Sequence, residues 1–537
     1  MAGTKIISLV LCSLGVFMSF RPHWIYIDEF IQTYYRNITD GELYDTIYPV
    51  KDYSGLILLI IVILVTDYVK YKPIIVLQGI FSMILMSLLN WDQQIIPLIV
   101  SQVFHGFIMA TNIAFYAYIF AVADSEKYKL STCLSQVSVL FGIFLGNLLA
   151  VLFLSLNITG LGTINLISFA FSVVTLIVAL MLPHVKPRIP TTREIIEREL
   201  QLPNGLYVPE TVTKSPWEVD RRPSMHSTGT QGIMDTYTHI NDPAFTAYAR
   251  SNMYSDIDTS SLGFYGDYSI SERYTTSIDS ESNENSREDN SITSEVHSSQ
   301  PGTTQKDKIN KFLKDLKKAY SEKLVIYWSS WLVFSICGHL MLEDDFQRLL
   351  DEIVPGRNSP LVYDASVSTL AALLGIIPVM IYGVTKGTWT VYSEPILAIV
   401  GLFTCLLYCL LANINNIWAI YSLYIIYYLL FQLMFVVALY QIGDVLQSRR
   451  YGFIFGMNLF IAVFLKVILQ SIQGNRQTLH LPITTQITVM GGIFGLFGLS
   501  FLTKMLYSLI DLYRQNGGCC GNYSNPQDRD LLVASTS

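Results

Sequence analysis

The chain has 537 residues, of which 51% are hydrophobic and 14% charged, with a formal net charge of -7 and a mean hydropathy of +0.40. No soluble core needs so many long apolar runs, so the composition points to an all-α membrane protein and no nucleic-acid partner is expected. The seven cysteines, at 12, 133, 337, 405, 409, 519 and 520, show no metal-ligand spacing, and five lie in or beside apolar runs, so a metal site and a disulfide framework are not expected.

A membrane helix needs about 17 to 25 mostly apolar residues. Windows of that kind fall at 6–26, 53–69, 73–89, 95–122, 130–156 and 164–182, which form a first group of six. Lys5 before the first window also fits a signal peptide, but no small-x-small cleavage site follows, so this segment is expected to stay as a span. In the fourth window Ser101, His105, Asn112 and Tyr116 share one helical face, with His105 placed near the outer end, and the fifth adds Ser135 and Gln136. Gly142 and Gly146 form a GxxxG pair suited to close helix packing.

Residues 185–322 hold no span, and their stretch from 224 to 305 is rich in Ser, Thr, Asn, Asp and Glu. Such a composition cannot bury enough apolar surface to offset chain entropy, so a disordered linker open to kinases is expected. At 306–320 Ile309, Phe312, Leu313 and Leu316 recur at helical spacing among five lysines. This predicts a basic amphipathic helix, lying either on the anionic cytoplasmic leaflet or on the base of the bundle.

The second group of windows runs at 324–342, 361–384, 395–411, 417–440, 451–469 and 483–509, which brings the total to twelve. The organisation is therefore a first half at 1–184, the linker, a second half at 323–510 and a tail at 511–537. Tyr421, Tyr424, Tyr428 and Gln432 mark the tenth span. Lys466 sits past the midpoint of the eleventh, on one face with Asn458, Ala462 and Gln470. A charge at the bilayer centre costs on the order of 2.5 to 3.5 kcal/mol on insertion scales, so an intramembrane lysine is expected to face protein or a wet cavity. No acid stands at similar depth within the predicted spans, so Lys466 is expected to meet a substrate. Asn112, Tyr116, Gln136, Tyr428, Gln432, Asn458, Gln470 and His105 are the other candidates for lining a shared central cavity; for the tyrosines and glutamines the alternative is plain helix-to-helix hydrogen bonding. Asp28, Glu29, Glu343, Asp344 and Asp345 fall at outer helix ends, where solvation is expected.

The sequons at Asn37 and Asn157 follow the first and fifth spans and so share a side, extracellular if glycosylated. Both termini are then cytoplasmic, and the short loops with Lys70 and Lys72, Lys127 and Lys129, Lys386, and Arg449 and Arg450 lie inside, as the positive-inside rule requires. The plasma membrane is the expected location. Phosphate loops, paired metal ligands and nucleophile elbows are absent from the sequence, so no cofactor and no enzyme activity are expected.

The stretch Thr66-Asp67-Tyr68-Val69-Lys70-Tyr71-Lys72-Pro73, followed by Val76-Leu77-Gln78-Gly79, resembles the loop between spans two and three of the reduced folate carrier and thiamine transporter family. Phe20-Arg21-Pro22, Tyr48-Pro49-Val50, Phe115-Tyr116-Ala117-Tyr118-Ile119 and Phe455-Gly456-Met457-Asn458 match in the same order across the membrane portion. The resemblance implies a major facilitator fold, twelve transmembrane helices in two six-helix halves, and vitamin transport by alternating access. Asp67, Lys70 and Lys72, with Asp444, Arg449 and Arg450 in the related loop of the second half, are then expected to latch the inward gate. Lys466 matches the family lysine that meets the anionic end of folates. Asn112 and Gln136 replace a family acid and arginine, Tyr428 replaces an arginine of folate carriers, and Trp24 and Lys51 lie near positions where thiamine transporters carry glutamate and tryptophan. A lysine without a matching carboxylate repels a cation, so a folate-like organic anion is expected, with thiamine as the alternative. A non-transporting receptor or adaptor signalling through the linker is the alternative of another class.

Overall fold

The structure is a computed structural model, described for residues 2–35, 38, 40–91, 94–123, 127–184, 320–353, 361–385, 392–446, 451–473 and 481–515. In a bilayer every backbone N–H and C=O must be paired within the protein, so an apolar run can cross only as a helix or as part of a closed barrel. The described chain is helical. The elements are α1 (Ala2–Ser19), α2 (Ile27–Tyr34), α3 (Pro49–Val69), α4 (Lys72–Trp91), α5 (Ile95–Thr111), α6 (Ile113–Val122), α7 (Tyr128–Ser155) and α8 (Leu161–Met181). After the linker come α9 (Lys323–Ile353), α10 (Leu361–Val384), α11 (Ser393–Asn413), α12 (Ile417–Val445), α13 (Tyr451–Gln473) and α14 (Ile483–Gln515).

Eleven segments among the described residues are long and apolar enough to cross a membrane, with α5 and α6 forming one of them across Asn112. The remaining predicted span is α1, which packs against α7 and α8 but ends at Ser19 instead of 26; Pro22 follows, and Trp24–Tyr26 forms a separate turn. Two other helices outrun their apolar windows: α3 begins at Pro49 instead of 53, and α9 continues to Ile353 instead of 342. The linker and its basic helix lie outside the described residues up to Tyr320, as do residues 516–537 of the tail; residues 511–515 continue α14.

Most crossing helices are apolar all round, and contact decides which face is inside. On α3, Leu59, Val62, Ile63 and Thr66 are buried while Ile57, Ile60, Ile61 and Leu64 are exposed, as expected of a lipid-facing side. Backbones approach closely where glycines permit it. A Cβ on Gly142 of α7 would stand 2.3 Å from the Val16 carbonyl oxygen of α1, and one on Gly106 of α5 would stand 2.2 Å from the Lys51 carbonyl oxygen of α3. In α14, Gly491 and Gly495 rest on Tyr408 and Cys405 of α11. Two helix boundaries bear on function. Asn416 caps α12 by accepting from the Trp418 and Ala419 N–H groups at 3.0 and 3.4 Å. At the other boundary, α3 ends with Lys70 and Tyr71 both left-handed, at φ 66° and 63°.

Candidate functional site

The first turn of α3 places Lys51 and Asp52 side by side, and both reach helices that follow the linker. Lys466 Nζ lies 2.7 Å from Asp52 Oδ2 and 2.5 Å from Asp344 Oδ2, while Lys51 Nζ lies 2.8 Å from Asp344 Oδ1. The four charges alternate in sign along a chain from α3 through α13 and α9 and back to α3. Lys466 is 0% exposed and Asp52 3% exposed, and Asp52 Oδ1 has no partner. Taking such ions out of water costs several kcal/mol each, which only close pairing offsets.

This corrects three expectations. Lys466 does not face an open chamber; it is enclosed and doubly paired. Acids do stand at its depth, because α3 and α9 extend beyond their apolar windows and carry Asp52 and Asp344 into the bundle. Of the acids at the outer helix ends, Glu29 and Glu343 are exposed as expected, while Asp28, Asp344 and Asp345 are not simply solvated. Asp344 joins the chain, buried Asp345 pairs with Arg348 at 3.1 Å, and Glu343 accepts from Trp24 Nε1 at 3.3 Å. Asp28 accepts from the Tyr44 hydroxyl at 2.8 Å and from the Tyr48 hydroxyl; burial pushes its carboxyl above the usual carboxylate range, against the lowering effect of both phenols.

A neutral polar bridge joins the helices before and after the linker. The Tyr116 hydroxyl of α6 donates to Gln136 Oε1 of α7 at 3.0 Å, and Gln136 Nε2 donates to Gln432 Oε1 of α12 at 2.8 Å. Tyr428 is buried one turn away, its ring centroid 5.8 Å from that of His339, and His339 stacks on Phe431 at 3.8 Å. The sequence pattern therefore located Tyr116, Gln136, Tyr428 and Gln432 in one region. His339 and Phe431 were missed, since a lone histidine in an apolar run has no partner visible in the sequence.

Other candidates lie apart from this bridge. Asn112 accepts from Gln78 of α4 at 3.4 Å. Asn458 accepts from the Tyr320 hydroxyl at 2.8 Å and donates to Ser329 at 3.1 Å, which ties α13 to the start of α9. Gln470 is half-buried one turn beyond Lys466. His105 lies in the first half of the span that α5 and α6 form, with its ring 4.7 Å from that of Trp24.

At the opposite end of the bundle Asp67 accepts from the Gly452 and Phe453 N–H groups at 3.1 and 2.9 Å, and from the Tyr71 hydroxyl at 2.8 Å. A carboxylate on the first N–H groups of α13 satisfies orphan donors and meets the positive end of the helix dipole. Lys72 meets a neighbouring helix end, donating to the Leu180 carbonyl in the last turn of α8 at 2.9 Å. Asp444 is exposed, and Arg449 and Arg450 lie outside the described residues. Asn157 is exposed, while Asn37 lies outside them.

The membrane-crossing helices are arranged in the major facilitator fold. Solved structures agree on the fold: a human organic anion transporter (TM-score 0.52, 10% identity, covering 93% of this chain and 99% of that one) and a proton:xylose symporter of the major facilitator superfamily (TM-score 0.52, 10% identity, 93% and 95%). The family model for the reduced folate carrier matches residues 4–489, and the chain belongs to that family. Human thiamine transporter 1 is 27% identical over 98% of this chain and 93% of its own length; human thiamine transporter 2 is 26% identical over 98% and 97%. The human reduced folate transporter is 24% identical over 93% of this chain and 72% of its own length.

Proposed function

We propose that this protein carries a vitamin of the thiamine or folate type across a membrane by alternating access, with a thiamine-like aromatic cation as its first substrate. One observation carries the reading: each end of the interface has its own polar latch, with Asp52, Lys466, Asp344 and Lys51 at one and Asp67 on α13 at the other, and a neutral amide and aromatic layer lies between. Opening one latch while the other holds admits solute from one side at a time.

The case for an anion rested on an unmatched lysine, and Asp52 and Asp344 match it. With the chain of four charges neutral in sum, the rings of Tyr116, Tyr428 and Phe431 decide the preference, because aromatic faces attract a cationic ring. The greater identity to thiamine transporters supports the same choice. A folate-like anion is the second reading, favoured by the ammonium that Lys466 would present once Asp52 and Asp344 withdraw. Asn157 follows α7 at the end that holds the Lys466 chain, so glycosylation there would make that latch extracellular and the Asp67 latch cytoplasmic. Residence in the plasma membrane and phosphorylation of the linker complete the reading.

The test is uptake of labelled thiamine and labelled reduced folate, side by side at two pH values, in cells lacking both activities. Thiamine accumulation that excess folate does not inhibit supports the first reading, and the reverse supports the second. No accumulation of either, by protein shown to be at the cell surface, sinks the proposal and favours a receptor.

A further inference from the structure

A recess away from the central interface lies between α1, α4 and α8. It encloses about 270 Å³ including its open mouth, and its polar lining is Arg21, His23, Ser82, Ser168, Ser172 and Thr175. Arg21 spends one donor, Nε, on the Met18 carbonyl at 3.0 Å, which closes the carboxyl end of α1. Its remaining guanidinium N–H groups have no hydrogen bond or ion pair among the described residues; Glu343 acts on its charge only through space. His23 is 4% exposed, and its Nδ1 is buried without a partner. Its backbone N–H donates to Ser168 at 3.1 Å, which fixes the histidine against α8. Ser172 and Thr175 donate to carbonyls of their own helix at 2.7 and 2.9 Å, bonds that one side-chain rotation exchanges for a ligand.

Arg21 is half-buried and keeps part of its fork of donors unspent beside the buried, unpartnered His23 Nδ1. The planar guanidinium fits the paired oxygens of a carboxylate or phosphate. We propose that this recess is an oxyanion site, in which Arg21 binds a phosphate-type group in two-point fashion while His23, as its Nδ1–H tautomer, and the hydroxyls of Ser82 and Ser172 hold the other oxygens. The phosphate arrives either free from solution or on a lipid headgroup. The proposal does not depend on which vitamin is carried. Occupied, it fastens the end of α1 to α4 and α8 and so stiffens the amino-terminal helices as a unit.

The experiment is thermal unfolding of the purified full chain. One arm titrates inorganic phosphate in neutral detergent against chloride at equal ionic strength. The other compares phosphatidylcholine vesicles with and without phosphatidylglycerol. A rise in Tm with phosphate identifies the free anion as the source, and a rise with phosphatidylglycerol alone identifies the lipid; either supports the site if Arg21→Gln shifts the response to concentrations about ten- to hundredfold higher, the loss expected for charged hydrogen bonds. Ser82→Ala, which disturbs no bond seen in the fold, should weaken the response less and keeps the test decisive if Arg21→Gln does not fold. No rise in either arm, or the same rise in wild type and variants, overturns the proposal.

Discussion

Removing the Lys466 ammonium would strand Asp52 and Asp344 as buried like charges. Lys466→Ala is therefore expected to cost about 3 to 5 kcal/mol, the usual penalty for breaking a buried pair from one side, and to abolish uptake with it. Loss of uptake in that variant alone would not separate transport from folding. The variant carrying Lys51→Met, Asp52→Asn, Asp344→Asn and Lys466→Met separates them, because exchanging all four charges together is often neutral or stabilising. Its Tm should return to within a few degrees of wild type while uptake stays absent; wild-type uptake by it would reduce the charge chain to scaffolding. Lys466 was legible in the sequence because hydropathy windows expose a lone charge among apolar neighbours. Asp52 and Asp344 were not, since each lies just past the apolar run of its own helix and pairing across helices leaves no mark in either run.

Helix existence was legible almost throughout, because the bilayer leaves an apolar run no other common way to pair its backbone. Boundaries were not, since α3 and α9 continue wherever a neighbouring helix, and not lipid, meets their polar residues. The GxxxG pair of Gly142 and Gly146 does sit at a close helix contact, and the contacts sharpen it to single positions. Gly142→Ala drives a Cβ to 2.3 Å from the Val16 backbone, which no rotamer can relieve, whereas a Cβ at Gly492 meets nothing within 4 Å. Gly142→Ala should lower stability by about 1 to 3 kcal/mol, as overpacking does, while Gly492→Ala leaves Tm unchanged. Equal tolerance of both, measured by thermal unfolding in detergent, would contradict the α1 to α7 packing.

In the alternating access proposed for the whole molecule the two latches open in turn, so joining one permanently should stop the cycle. Replacing Thr66 of α3 and Gly452 of α13 by cysteine puts two thiols beside the Asp67 latch, where a Cβ on Gly452 would stand 3.2 Å from that of Thr66. Oxidation is expected to abolish uptake and a reductant to restore it, and uptake unaffected by a bond verified on peptide mapping would rule out separation of these helices during transport. Asp67 was identified from its loop, but its partners could not be: they are backbone N–H groups of α13, which sequence does not distinguish from any others. The same loop holds Lys70 and Tyr71 in a conformation costing side-chain-bearing residues about 1 to 2 kcal/mol apiece, while their neighbour Asp67 grips α13. In the proposed cycle the bend would act as a cocked spring under a catch. Lys70→Gly would slacken it, so turnover should slow and solute should dwell longer inside the protein, a change that pre-steady-state uptake kinetics can resolve.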